Sequence, residues 1–250
     1  MILNRRTLIQ SAAATALVPA VARAAGHASD VMTANGKVSI HPVSHASFVM
    51  ETPAGVIYVD PVGEPSAYAD KPPADLILVT HEHGDHFNNR VLEAVKDAPI
   101  VINQGAHRLL EGDLSARATE MANGDSIGIQ DVSIEAVPAY NITEERKKFH
   151  PQGRDNGYVL TLPGNFRVYI SGDTEDIPEM RGLDGIDLAF VCMNLPFTMD
   201  VTAAASAVNE FAPTVVYPYH YRGRDGGTQD PEKFAEMIEG STEVRLGKWY

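Results

Sequence analysis

Cysteine is almost absent. The 250-residue chain holds one, Cys192, which excludes an intrachain disulfide and a thiolate-rich metal site. Cations are scarce as well: 20 Lys and Arg stand against 33 Asp and Glu, for a net charge of -13. With no basic stripe to offset that charge, a nucleic-acid partner is not expected. There is no membrane span in the pattern either. The apolar stretch Leu8 to Val21 is too short and too rich in alanine to cross a bilayer as a helix. No strong sequence repeat is visible. What remains is ordinary for a globular protein, 44% hydrophobic and 21% charged residues in a length that suits one large domain or two small ones.

The first residues read as an export signal. Arg5 and Arg6 precede the apolar stretch, and Ala22-Arg23-Ala24 forms an A-x-A cleavage pattern. The arrangement resembles a bacterial twin-arginine signal. The expected organisation is a cleaved signal at 1–24, a polar linker at 25–36 and one catalytic domain at 37–250, in a periplasmic or otherwise exported protein.

Beyond the linker, short strands are expected at "KVSIHPV", "SFVMET" and "GVIYVDP", with turns at Pro53-Ala54-Gly55 and Pro61-Val62-Gly63. "DLILVT" is a continuous apolar run and predicts a strand buried on both faces. "NNRVLEAVKDA" and "QGAHRLLEG" predict helices, the second ended by Gly112, with a strand at "PIVIN" between them. Strands follow at Ser126–Val137, Gly157–Leu162, Phe166–Ile170, Asp187–Cys192 and "TVVYPYH". Asp200 caps a helix over Val201–Phe211, and Asp230 caps one that begins with Pro231. "TEVRLGKWY" is a terminal strand or extension. Strands in hairpin order, with strand–helix units recurring in both halves, predict sheets covered by helices.

The chemistry concentrates in "THEHGDHF". His81, His83, Asp85 and His86 crowd the loop beyond a buried strand, where α/β sheets place ligand-binding groups. Gly84 is expected to make the turn sharp. Three imidazoles and a carboxylate in so short a loop are hard to share on one ion and easy to divide between two adjacent ones. The plain alternative is a histidine-rich surface loop. Further along, "VYISGDTED" is a strand ending at Asp173, and "VVYPYHY" is one ending at His220.

This His-x-His-x-Asp-His pattern, with Asp173 and His220 after later strands, resembles the metallo-β-lactamase superfamily. The likeness extends to "MNLPFTMD", "FAPTVVYPYHY" and "TQDPEKF" and looks closest to a small lactonase-like branch. It implies an αββα sandwich in a single domain, with two divalent ions at its edge. Zinc suits the nitrogen and oxygen ligands best, with manganese or iron as alternatives. It implies His81, His83 and His150 on one ion, Asp85, His86 and His220 on the other, and Asp173 shared. Many relatives place the third histidine after Val-Pro-Ala. Here Tyr140 and Asn141 stand there, and the later "FHPQG" supplies His150, with Asn141 as a polar neighbour. Asp60 matches an acid that accepts an N–H from a ligating imidazole. His45 matches a histidine near the first hairpin, for which packing and contact with the site are both open.

The implied activity is hydrolysis of an ester, lactone or phosphodiester in a small molecule by a hydroxide bridging the ions, with Asp85 and Asp173 central to it. Asn194, Phe197, Tyr219, Tyr221, Arg222 and Arg154 are candidates for the substrate side. Two other classes compete: an iron-dependent oxygenase or redox protein on the same fold, and a non-catalytic metal-binding envelope protein. His107 is expected to be structural and His27 to lie in the linker. Oligomeric state is not legible.

Overall fold

Alternating apolar residues in the first half build a sheet in chain order. In the computed structural model, which describes residues 30–95 and 97–250, β1 (Asp30–Thr33), β2 (Gly36–Ser44), β3 (Ser47–Thr52) and β4 (Gly55–Val59) pair antiparallel. β5 (Leu76–Val79), β6 (Ile100–Ile102) and β7 (Ala118–Glu120) extend the same sheet in parallel. The second half repeats the plan. β8 (Ser126–Ile129), β9 (Val132–Ala139), β10 (Asp155–Leu162) and β11 (Phe166–Ile170) are antiparallel. β12 (Leu188–Cys192), β13 (Val215–Tyr219) and β14 (Glu243–Val244) continue it in parallel. The expected signal at 1–24, and His27, lie outside the described residues.

Side chains alternate across each strand, so one sheet feeds two cores. Leu76 and Leu78 of β5 join Phe48 and Met50 of β3 in the core between the sheets. Ile77 and Val79 face the other way, onto α1 (Asn89–Ala94) and α2 (Gln104–His107) through Val91, Leu92 and Ala106. This is why β5 reads as an unbroken apolar run. Phe48 stacks on Phe190 of the opposite sheet at 4.2 Å between ring centres. Burying a side chain of that size contributes about 2–3 kcal/mol. The second sheet is covered by α3 (Pro178–Arg181), α4 (Val201–Phe211) and α5 (Pro231–Met237), whose Met180, Ala204, Val208, Phe211 and Phe234 share its core. The layers run helix, sheet, sheet, helix in one domain, the αββα arrangement expected.

Both predicted caps are present. Asp200 accepts the Ala203 N–H at 2.8 Å, and Asp230 accepts the Glu232 N–H at 2.9 Å. Other boundaries differ. Asp30–Thr33 lies inside the expected linker, yet it forms β1 because Val31 reaches the core. The helix expected to run on from Asn88 ends at Ala94, before a left-handed Asp97 (φ 68°) and Pro99. The second expected helix stops at His107, and a separate 3-10 turn occupies Gly112–Arg117. β7 and α3 had no clear sequence signal, being three and four residues long.

Candidate metal centre

Parallel strands deliver their carboxyl ends to one edge, and each of five ends there on a polar residue. Asp60 follows β4, Thr80 and His81 follow β5, Asp173 comes after β11, Asn194 after β12 and His220 after β13. Backbone strain accompanies them. His45, Asp60 and His220 hold φ of 56°, 43° and 47°, a region that side-chain-bearing residues seldom adopt. Gly172 (φ 59°) precedes Asp173, and a Cβ there would lie 2.7 Å from the Asn156 carbonyl oxygen. Only glycine lets the chain pass at that point. Gly84 is different. Its φ is not left-handed, and a Cβ would meet nothing within 4 Å, so the expected glycine-dependent turn is not required.

The hydrogen bonds decide which ring nitrogens face the centre. Thr80 Oγ1 has one proton and gives it to Asp60 Oδ2 at 2.8 Å, since a carboxylate only accepts. His81 Nδ1, 3.0 Å from that hydroxyl, must therefore donate, which leaves Nε2 with its lone pair. His86 Nδ1 donates to Asp60 Oδ2 at 2.7 Å, and His150 Nδ1 to Asp155 Oδ2 at 2.9 Å. In all three rings a polar partner behind the ring holds Nδ1–H and turns Nε2 inward.

The candidate ligand atoms fall into three sets, two of which share His81. One is His81, His83 and His150; another is His81, His86 and Asp173; a third is His45, Asp85 and His220. Within each set the candidate donor atoms lie within 4.8 Å of one another. Asp173 joins them. Its Oδ2 is 3.4 Å from His150 Nε2, while its Oδ1 is 3.4 Å from His86 Nε2 and 3.3 Å from His220 Nε2. Asp85 Oδ2 is 3.5 Å from His220 Nε2. His86 Nε2 and Asp173 Oδ1 are buried without a hydrogen-bond partner. Buried polar atoms are normally satisfied, so converging unsatisfied nitrogen and oxygen atoms are what a divalent cation requires.

A profile of the Beta-lactamase superfamily domain matches residues 39–220, the span from β2 to the last histidine of the centre. The chain belongs to the metallo-β-lactamase superfamily. Within it, a UPF0173 metal-dependent hydrolase of Anaeromyxobacter dehalogenans is 30% identical over 233 residues, covering 85% of each chain. The Thermococcus kodakarensis member is 34% identical over 217 residues, 83% of this chain and 95% of its own. A crystal structure from Parabacteroides distasonis, named as a candidate metal-dependent hydrolase, is 40% identical. It superposes with a TM-score of 0.76 over 87% of this chain and 96% of its own.

Charge in this superfamily centre is held by pairs. Burial opposes the charge on Asp173, but His220 and His86 beside it hold the carboxyl well below its usual range. Burial also opposes charge on His86, yet Asp173 and Asp60 on either side raise it well above the ordinary histidine value. His150 is raised to about 8 against burial by Asp155 and Asp173. His81, His83 and His220 are lowered, chiefly by burial. Before a metal binds, positive charge is thus favoured on His86 and His150 and opposed on His81, His83 and His220. Zinc titration of chelator-treated protein, in buffers of different ionisation enthalpy, is expected to release between about one and two protons per chain. Release of none would mean that His86 and His150 are already neutral, with Nε2 unprotonated, before zinc binds.

The remaining sequence candidates of the superfamily reading divide. His45 Nε2 lies 3.4 Å from Asp85 Oδ2, its ring sits 4.1 Å from that of His220, and its Nδ1 is 2.8 Å from Tyr250 Oη, so it belongs to the site. Asn141 is a clamp: its Nδ2 donates to the Arg146 and Phe197 carbonyls, and its backbone N–H to that of His150. Arg154 is not free for a substrate, because it is bound to Asp155 and Glu82. Tyr221 and Arg222 both pack on Tyr250. The expectation for Tyr219 is corrected. Its side chain is fully buried against Phe48 and Trp249, on the core face of β13, and does not reach the centre. His107 pairs with Glu120 at 3.1 Å, away from the site. Asp155 escaped the sequence reading. The available signal was an acid five residues beyond His150 at the start of a strand, comparable with Asp60.

Proposed function

We propose that the chain is a hydrolase that holds two divalent ions, most suitably zinc, and cleaves an ester, lactone or phosphodiester bond in a small molecule. His81, His83 and His150 would hold one ion and Asp85, His86 and His220 the other. The observation that carries this reading is the divided carboxylate of Asp173, with one oxygen turned to His150 and the other to His86 and His220. When bound, divalent ions of this kind lower the pKa of water from about 16 toward about 7 and stabilise negative charge on a substrate oxygen.

The chain's own residues do the rest. Asp60 and Asp155 keep His86 and His150 in the tautomer that presents Nε2. Arg154 grips Asp155 through Nε at 2.7 Å and Nη2 at 2.9 Å, which fixes that carboxylate in turn. Asp85 is the one acid of the group with a partly exposed side chain. His45 donates from Nε2 to Asp85 and receives the Tyr250 hydroxyl proton at Nδ1. Each donor in this line points toward Asp85, so it suits delivery of a proton to the centre.

The test is a screen of zinc-loaded protein against lactones, carboxylic esters, phosphodiesters and β-lactams, with metal content measured alongside. Between about one and two ions per chain and chelator-sensitive hydrolysis of one class are expected. Stoichiometric iron with oxygen uptake would replace the hydrolase reading with an oxygenase. A folded, metal-free, chelator-resistant protein would end both. His150→Ala should lower affinity for one ion and leave the other in place; unchanged stoichiometry would remove His150 from the ligand set.

Export through the twin-arginine route is part of the proposal, on the strength of Arg5-Arg6 and the A-x-A pattern. Replacing both arginines with lysine should leave uncleaved precursor in the cytoplasm. Unchanged export would mean another route.

A further inference from the structure

Asn194 stands two residues beyond the end of β12, and its side chain is buried at the centre. Its orientation is settled by Thr198. The Thr198 hydroxyl accepts the Asn194 backbone N–H at 3.0 Å, and its own proton goes to Asn194 Oδ1 at 2.5 Å. The amide oxygen is thereby engaged, and Nδ2 turns the opposite way. There it lies 3.4 Å from His220 Nε2, the atom that also faces Asp85 Oδ2 and Asp173 Oδ1.

The segment around Asn194 is closely held. Its carbonyl accepts the Phe197 and Thr198 N–H groups at 3.0 and 2.9 Å. Leu195 N–H donates to Gly227 O at 3.2 Å, and a Cβ on Gly227 would collide with the Leu195 carbonyl. The amide therefore has little freedom to swing away. A cation that takes the His220 lone pair deprives the Nδ2 group of the acceptor it faces, yet the group remains buried. A buried donor without an acceptor is costly, and here it faces His220 Nε2, an atom that would hold an ion.

We propose that Asn194 Nδ2 donates a hydrogen bond to the substrate oxygen that gains negative charge, making Asn194 a catalytic residue of the centre. The role rests on the hydrolase reading for its catalytic part, but not for its anion-binding part. Preorganised donors of this kind are effective because they need not reorient as charge develops.

The experiment uses inorganic phosphate as a tetrahedral anion and reads its binding to zinc-loaded protein by calorimetry, with no turnover needed. Asn194→Ala is expected to keep the wild-type zinc content and to bind phosphate at least about tenfold more weakly. On any substrate the wild type hydrolyses, kcat should fall by about a hundredfold or more with little change in KM. Thr198→Val, which frees the amide to rotate, should weaken phosphate binding in the same direction, and Thr198→Ser should restore it. Wild-type phosphate affinity in Asn194→Ala would overturn the proposal. So would loss of zinc, because Asn194 would then be supporting His220 and not the substrate. If Asn194→Ala does not fold, the Thr198 pair decides: equal affinity in Val and Ser variants overturns it. A protein that binds phosphate through Asn194 but hydrolyses nothing would refute the hydrolase reading alone.

Discussion

Asp173→Ala is expected to lower hydrolysis by at least about a hundredfold while the fold stands. Among the described residues, Asp173 is the one whose two side-chain oxygens face different histidines of the centre, His150 on one side and His86 and His220 on the other. Without it, two cations would repel each other with less compensation, so metal content should fall toward one ion per chain. The fold should survive because the neighbouring rings keep their outer partners: His86 remains on Asp60 and His150 on Asp155. Mass spectrometry of loaded protein and circular dichroism read the two halves of the result. Wild-type rate with two ions bound would remove Asp173 from the bridging role. Collapse of the fold would show that its charge is needed for stability first.

Asp60→Ala should instead be felt as instability. Asp60 is fully buried and accepts three bonds, from Thr80 N–H at 2.7 Å, Thr80 Oγ1 at 2.8 Å and His86 Nδ1 at 2.7 Å. Truncation strands all three donors and leaves alanine at φ 43°. Removing one partner of a buried pair costs about 3–5 kcal/mol, which for a chain of this size is a fall in Tm of roughly 10 °C. Metal affinity should drop about ten- to a hundredfold as well, because His86 loses its tautomer control and His81 loses Thr80 as a fixed partner. Thermal unfolding with and without zinc measures both effects. A Tm within about 2 °C of wild type would mean that water replaces the carboxylate.

The candidate residues differ in how they could be seen. His81, His83, Asp85 and His86 form one short segment after an apolar strand, so spacing alone marked them. Asp173 and His220 each end a recognisable strand, and order made them readable together. His150 had no such mark and rested on resemblance. Tyr219 misled because it neighbours His220. Val215, Tyr217 and Tyr219 alternate onto the core face of β13, and the left-handed φ of His220 then turns the chain toward the centre. A backbone reversal of that kind leaves no trace in periodicity.

Sequence by itself determined the sandwich, the caps of α4 and α5, and the loop where the histidines gather. These depend on local spacing: apolar alternation, a cap residue before a helix, a polar cluster after a buried run. Only the tertiary structure decided that both halves share one strand plan, which the sequence does not display as a repeat. Likewise, folding set Asp155 behind His150, joined Tyr250 to His45 across 205 residues and aimed the Asn194 amide inward. Such contacts form between strand ends that packing brings together, and hydrogen-bond direction depends on the partner each atom meets there.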